Sequence, residues 1–104
     1  MKEIRKGLVK HFLDVIVLMC LKNQSPLSGY DMMALVQTRF GFMVSSGSIY
    51  SRLYAIEQRG LVKGEITNGK RVYVLTEEGR DFIDDMLHSK EEIVELARSL
   101  FESQ

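Results

Sequence analysis

Two adjoining runs decide the fold: S-G-S-I-Y-S-R-L-Y-A-I-E-Q-R-G (46–60) and L-V-K-G-E-I-T-N-G-K-R-V-Y-V-L (61–75). In the first run Ile49, Leu53 and Ile56 recur at helical spacing and predict a helix. Gly60 suits the left-handed conformation that follows a helix C-terminus. In the second run Asn68-Gly69 separates two β-prone segments, which is a strong signal for a tight hairpin. The centre of the chain is therefore a helix followed directly by a β-hairpin.

Two further helices are predicted before this centre. The first covers about residues 5–22 and is apolar nearly all round from Phe12 onward, so it should be buried on several sides. The second covers about residues 29–39, with Ser28 as its N-cap. Cys20 in the first helix is predicted to be a buried, inert thiol. Helix, short helix, helix and hairpin, in this order, outline a winged helix-turn-helix.

An amphipathic segment follows the hairpin. Thr76 is its predicted N-cap, and we expect one continuous helix from there, although S-K-E-E from Ser89 fits a capping box that would break or kink it. The apolar stripe has little of its own domain left to cover, so it is predicted to pack against a second copy of the protein. The residues predicted to form this dimer interface are Leu8, Phe12, Ile83, Met86, Leu87, Ile93, Val94, Ala97, Leu100 and Phe101.

The charge of this 104-residue chain is unevenly distributed, although the formal net charge is zero. Residues 1–76 carry eleven Lys or Arg and five Asp or Glu, whereas residues 77–104 carry three and nine. Such asymmetry is a hint of a nucleic-acid face joined to a segment with another task. We therefore predict an α+β fold, mostly helical, with a DNA-binding winged helix-turn-helix over 1–76 and a C-terminal dimerisation helix over 77–104.

Groups that could perform catalysis or bind metal do not cluster in the sequence. His11 and His88 lie far apart, with no Cys, Asp or Glu at metal-ligand spacing beside them. Asp84 and Asp85 are adjacent on a helix and so do not face each other. The apolar run 12–21 is too short to cross a bilayer. We predict no enzymatic activity, no metal, no cofactor, no membrane partner and a cytoplasmic location.

The candidates for DNA contact lie on the helix of the first run and on the hairpin. Arg52 is the only residue in the N-terminal half of that helix able to make a bidentate contact to guanine. Tyr54 lies on the far side from the apolar stripe, where a core role is hard to arrange. For Tyr50 the alternative to DNA contact is packing of its ring. For Ser48 and Ser51 the alternative is capping or solvent exposure. The predicted DNA-binding residues are Ser48, Tyr50, Ser51, Arg52 and Tyr54 on the helix, with Lys70 and Arg71 on the hairpin for phosphates.

Three segments together resemble the PadR-like transcriptional regulators: S-P-L-S-G-Y-D-M (25–32), S-G-S-I-Y-S-R-L-Y-A-I-E-Q-R-G-L-V (46–62) and V-Y-V-L-T-E-E-G-R (72–80). The resemblance covers roughly residues 8–85 and is to the subgroup with a single C-terminal helix. It implies a homodimeric repressor that binds a double-stranded DNA operator; some relatives respond to small hydrophobic or phenolic effectors. Ser51 and Arg52 stand where members often carry proline and a small or apolar residue, and the wing is short, so operator sequence and wing contacts stay open.

Two other interpretations follow from the same residues. A winged helix used only for protein–protein contact would have this fold without binding DNA. An adaptable ligand pocket is the other, although flexible side chains that fill an ordinary core are the favoured interpretation. The methionines concerned are Met19, Met32, Met33, Met43 and Met86.

Overall fold

A computed structural model describes residues 12–41 and 43–102. The elements within these ranges are helices α1 (Leu13–Asn23), α2 (Gly29–Phe40), α3 (Ser46–Gln58), α4 (Glu77–His88) and α5 (Lys90–Glu102), and antiparallel strands β1 (Val62–Thr67) and β2 (Lys70–Leu75). This order confirms the predicted winged helix-turn-helix with a helical C-terminal segment. The predicted start of the first helix lies outside the described residues. None of the described helices is long and apolar enough to cross a membrane.

One apolar core holds the helices and the base of the hairpin together. Side chains such as Val17 on α1, Met32 on α2 and Leu53 on α3 are fully buried in it. Each such burial stabilises the fold by roughly 1.5–3 kcal/mol. Cys20 belongs to this core, which confirms the predicted buried cysteine, and burial raises the pKa of its thiol.

The start of α2 is held by a reciprocal cap. The Ser28 hydroxyl accepts a hydrogen bond from the Asp31 amide at 3.0 Å, and the Asp31 carboxylate accepts one from the Ser28 amide at 3.0 Å. This confirms Ser28 as the N-cap. The hydrogen bond from the Ser28 amide is the largest cause of a lowered pKa at Asp31. The helix ends at Phe40, and the C-cap residue Gly41 has a left-handed φ of 73°.

The hairpin forms the wing and is fastened at its base. Asn68 and Gly69 have φ of 52° and 73°, as the predicted tight turn requires. Leu27, in the connection between α1 and α2, pairs with Tyr73 of β2: its amide donates to the Tyr73 carbonyl at 3.2 Å, and its carbonyl accepts from the Tyr73 amide at 2.8 Å. The wing is therefore joined to the segment that leads into the helix-turn-helix.

The first turn of α4 packs against the turn that ends α3. The Thr76 hydroxyl donates to the Gly60 carbonyl at 2.6 Å, and the Thr76 amide donates to the Leu61 carbonyl at 3.2 Å. The same hydroxyl accepts from the Gly79 amide at 3.0 Å, which confirms the predicted N-cap. A Cβ placed on Gly79 would lie 1.9 Å from the Leu61 carbonyl oxygen. This close approach requires glycine.

The expectation of one continuous C-terminal helix is wrong, because α4 and α5 meet at Ser89. That residue has φ −102° and ψ 10°, outside the helical range. Its amide still donates to the Asp85 carbonyl at 3.0 Å, and its carbonyl accepts from the Ile93 amide at 3.0 Å. Serine tolerates this geometry well because its side chain competes for backbone groups, which favours helix ends. The result is a local break in the helix, with one helical hydrogen bond kept on each side of Ser89.

Candidate nucleic-acid interface

Helix α3 begins with a serine pair. The Ser45 hydroxyl accepts a hydrogen bond from the Ser48 amide at 3.1 Å and donates one to the Ser48 hydroxyl at 3.0 Å. This cap fixes the first turn, which carries no acidic residue. Ser48 is half-buried, and its hydroxyl is already engaged within the turn.

The side of α3 that faces away from the core forms an exposed strip. Ile49, Leu53 and Ile56 point into the core and are completely buried. Helical geometry places four residues on the opposite side, and all of them are exposed. These outer-face residues are Gly47, Ser51, Tyr54 and Gln58. Tyr54 is 67% exposed, so its ring is not needed to fill the core.

Tyr50 lies on one flank of α3, against the start of α2. A Cβ on Gly29 would fall 2.6 Å from the tip of the Tyr50 ring, so the two are in direct contact. The side chain is still 44% exposed. Tyr50 therefore combines a packing role between α2 and α3 with an accessible edge.

Arg52 lies on the other flank of α3, against α1. Its Nε donates to Oδ1 of Asp14 at 2.6 Å, and its Nη2 donates to Oδ2 at 2.8 Å. The side-chain hydrogen bond with Asp14 raises the pKa of Arg52. The Arg52 side chain keeps 42% of its surface exposed, and that of Asp14 keeps 24%.

The tip of the wing carries an exposed lysine. Lys70 pairs with Thr67 directly after the turn. Lys63 on β1 is exposed as well. These two ammonium groups supply positive charge along the hairpin.

Arg71 folds back along the wing and does not extend from its tip. Its Nη2 lies 3.2 Å from both carboxylate oxygens of Glu57, and its Nε donates to the Tyr73 hydroxyl at 3.1 Å. The hydrogen bond with Tyr73, followed by that with Glu57, raises the pKa of Arg71. The guanidinium covers Gly64, where an added Cβ would collide with it. Glu57 also accepts from the Gly64 amide at 3.0 Å, so it links the end of α3 to the wing.

Asp14 and Glu57 were not among the predicted site residues, yet each holds one of the predicted DNA-binding arginines. Asp14 is 38 positions from Arg52 along the chain, a separation at which charge pattern alone predicts no pairing. The sequence did contain an indication for Glu57, because this residue lies in the second of the three segments that resemble the family.

The residues predicted for dimerisation fall into different environments. Leu8 lies outside the described residues. Ile83 is completely buried in the core of its own chain and is not accessible to a second copy. Met86, Leu87 and Ile93 are half-buried. The exposed members are Phe12, Val94, Ala97, Leu100 and Phe101.

Helix α1 is also tied to the C-terminal segment. Lys22 Nζ lies 2.6 Å from Oδ1 of Asp84 on α4. This hydrogen bond is the largest cause of the lowered pKa of Asp84. Helix α1 therefore has one ion pair to α3, through Asp14, and one to α4.

A helix with an exposed polar face, held by two others and followed by a hairpin with a lysine at its tip, defines a winged-helix DNA-binding fold. A model of the transcriptional regulator PadR-like family matches residues 17–85. The chain belongs to this family of transcriptional regulators.

Solved structures of relatives have the same fold. A PadR family transcription regulator from hypervirulent Clostridium difficile has a TM-score of 0.73 and 25% identity, over 86% of this chain and 98% of that chain. Bacillus subtilis PadR, solved in complex with operator DNA, has a TM-score of 0.65 and 26% identity, over 72% of this chain and 46% of that chain. A PadR-like transcriptional regulator from Bacillus cereus has a TM-score of 0.60 and 33% identity, over 71% of this chain and 44% of that chain.

One curated relative matches over most of this chain. It is an uncharacterized 37.1 kDa protein in a transposon of Streptomyces fradiae, 29% identical over 89 residues. Those residues are 85% of this chain, but the chain spans only 25% of the length of that relative.

Proposed function

We propose that the protein is a homodimeric repressor in the cytoplasm that binds operator DNA, with α3 in the major groove and the wing on the neighbouring backbone. The observation that carries the proposal is the outer face of α3, which is exposed and uncharged, on a helix of the kind that the major groove admits. The operator complex of Bacillus subtilis PadR supports it by relationship.

The proposed contacts follow from exposure. Ser51 and Tyr54 face base edges, and Arg52 reaches a guanine from the flank. Ser48 and Tyr50 set the position of the helix on the phosphates. Lys70 contacts phosphate from the wing tip, whereas Arg71 would have to leave Glu57 in order to do so.

The test is affinity for the DNA upstream of the protein's own gene across a salt series. Log affinity falls as log salt rises, and each phosphate that the protein neutralises makes the slope of this decrease steeper by about 0.9. Lys70→Ala should lower this slope by about one. Lys90→Ala on α5 is the matched control, because it removes the same charge from an exposed position outside the proposed DNA contacts, and it should leave the slope unchanged.

Affinity that does not depend on salt, or no affinity for any duplex, would contradict the proposal. It would favour instead a winged helix used for protein–protein contact. One observation favours this second function: Arg52 and Arg71 are both paired with carboxylates of their own chain.

The proposed dimer interface is the C-terminal segment. No described residue of α5 is buried, and apolar residues on it are exposed: Val94 is 55% exposed and Leu96 is 61% exposed. Val94→Glu should dissociate the dimer at micromolar concentration, because it would place an unpaired charge in an apolar interface. Glu92→Gln on the same helix is the control. Sedimentation that finds a monomer for the unaltered protein would refute the dimer.

A small hydrophobic effector that releases the DNA is the third part of the proposal. Met32 is fully buried, and Met19, Met33 and Met86 pack against the core, which supports core filling for these four. Met43 is 68% exposed and lines a surface pocket together with Met33, so this pocket and the space between the C-terminal segments of two copies are the two candidate effector sites. Titration of the protein–DNA complex with phenolic acids tests this, and an unchanged affinity across the panel would remove that effector class from the proposal.

A further inference from the structure

The ion pair between Asp14 and Arg52 joins α3 to a helix outside the helix-turn-helix. We infer that Asp14 is a positioning residue that determines specificity, because it holds the Arg52 guanidinium with its guanine-reading edge turned outward. The inference rests on the proposed DNA-binding function and adds to it a residue on α1.

The N–H donors of Arg52 divide between two tasks, which are pairing with Asp14 and contacting a base. A guanidinium has five N–H groups in a rigid, planar fork. Asp14 takes the Nε hydrogen and one Nη2 hydrogen. Both Nη1 hydrogens and the second Nη2 hydrogen remain, and they lie at the far end of the side chain. A bidentate guanine contact needs two parallel donors, so holding Asp14 and reading a base are compatible.

The surroundings of Arg52 agree with this division. No other described residue accepts a hydrogen bond from Arg52. The Arg52 side chain keeps 42% of its surface exposed, and Ser51, its neighbour in sequence, is exposed on the outer face of α3. Asp14 comes from the first turn of α1, between the buried Leu13 and the core residue Val17, so its carboxylate is anchored by the core.

The physical effect of Asp14 is to order Arg52 before DNA arrives. A long side chain that must be immobilised on binding lowers affinity, and prior ordering removes that cost. By this reasoning, loss of Asp14 should reduce the preference for guanine at one base pair by up to about tenfold. It should not weaken binding to unrelated DNA, because the change removes a negative charge.

The test begins with the unaltered protein and a pool of random 30-base-pair duplexes, from which a bound sequence is selected. Affinities are then measured for three labelled duplexes: the selected one, the same one with the Arg52-dependent guanine replaced, and an unrelated one. Asp14→Asn should lose guanine preference and keep its affinity for the unrelated duplex. Arg52→Ala should abolish the preference, and adding Asp14→Asn to it should change nothing further. Asp84→Asn, which breaks the other ion pair of α1, is the matched control and should keep the preference.

A purely structural brace gives different results. It predicts that Asp14→Asn weakens binding to all three duplexes equally and lowers the thermal midpoint. It also predicts that the reversed pair, Asp14→Arg with Arg52→Asp, recovers guanine preference. Either result would overturn the inference, as would an unchanged preference in Asp14→Asn or Arg52→Ala. If the unaltered protein selects no sequence and binds no duplex, the proposed function itself fails, and the inference fails with it.

Discussion

Replacing Gly79 by alanine tests whether the first turn of α4 packs as closely against the turn that ends α3 as the structure describes. The new Cβ would lie 1.9 Å from the Leu61 carbonyl oxygen, and side-chain carbons do not approach closer than 3.0 Å. Helix α4 must therefore move by roughly 1 Å. That movement strains the two hydrogen bonds that Thr76 makes to Gly60 and Leu61.

The expected cost follows from these contacts. Overpacking costs about 1–3 kcal/mol, and each weakened hydrogen bond costs up to about 1 kcal/mol. Alanine recovers up to about 1 kcal/mol through its higher helix propensity. A net loss of roughly 2–4 kcal/mol lowers the thermal midpoint by about 8–32 °C in a domain of this size.

The assay is thermal unfolding followed by circular dichroism, with Gly47→Ala as the matched control. Gly47 is also a helical glycine, but an added Cβ would meet only the Ser45 hydroxyl at 3.9 Å. The control should therefore be neutral or up to about 1 kcal/mol more stable. If Gly79→Ala unfolds within about 2 °C of the unaltered protein, the close approach of α4 to Leu61 is refuted.

Two further predictions concern the carboxylates. Glu57→Gln removes the charge that holds Arg71 and weakens the link to the Gly64 amide, at a cost of roughly 1–2 kcal/mol; faster hydrogen exchange along β1 is the expected readout, and unchanged exchange would contradict it. Asp31 and Asp84 both have lowered pKa values in the folded state, so their contributions to stability are complete above about pH 4 and are lost as pH falls through the folded pKa. Thermal midpoints between pH 6 and pH 2.5 should therefore fall less in Asp84→Asn than in the unaltered protein, and parallel pH profiles would refute this.

The elements could be predicted because their signals are local. The turn at Asn68 and Gly69 needs positive φ at neighbouring positions, and those two residue types tolerate it. The stripe of α3 repeats within a few turns, and all of its predicted core members are buried. Ser28 and Thr76 cap their helices through atoms three residues away.

The electrostatics of the candidate site could not be predicted in the same way. The sequence predicts that Arg52 and Arg71 are both available to contact DNA. Each is paired with a carboxylate, and these partners lie 38 and 14 positions away along the chain. Such pairing depends on how the helices pack. The same holds for Ile83, since an amphipathic stripe does not say whether its own chain or a second copy covers a given residue.

At Ser89 the sequence carries two opposed signals, helical periodicity and a capping box. The apolar positions keep helical spacing on both sides of Ser89. Periodicity therefore favoured one helix, while the capping box correctly indicated the break.

The pairing of Leu27 with Tyr73 constrains how this wing could change during evolution. The bridge joins Tyr73, near the base of the wing, to the connection that leads into α2, so a hinge motion of the wing would have to break two backbone hydrogen bonds. Insertions can be accommodated only beyond it, around the Asn68-Gly69 turn. A descendant with a longer wing would extend its reach along DNA while the angle between wing and α3 stayed the same.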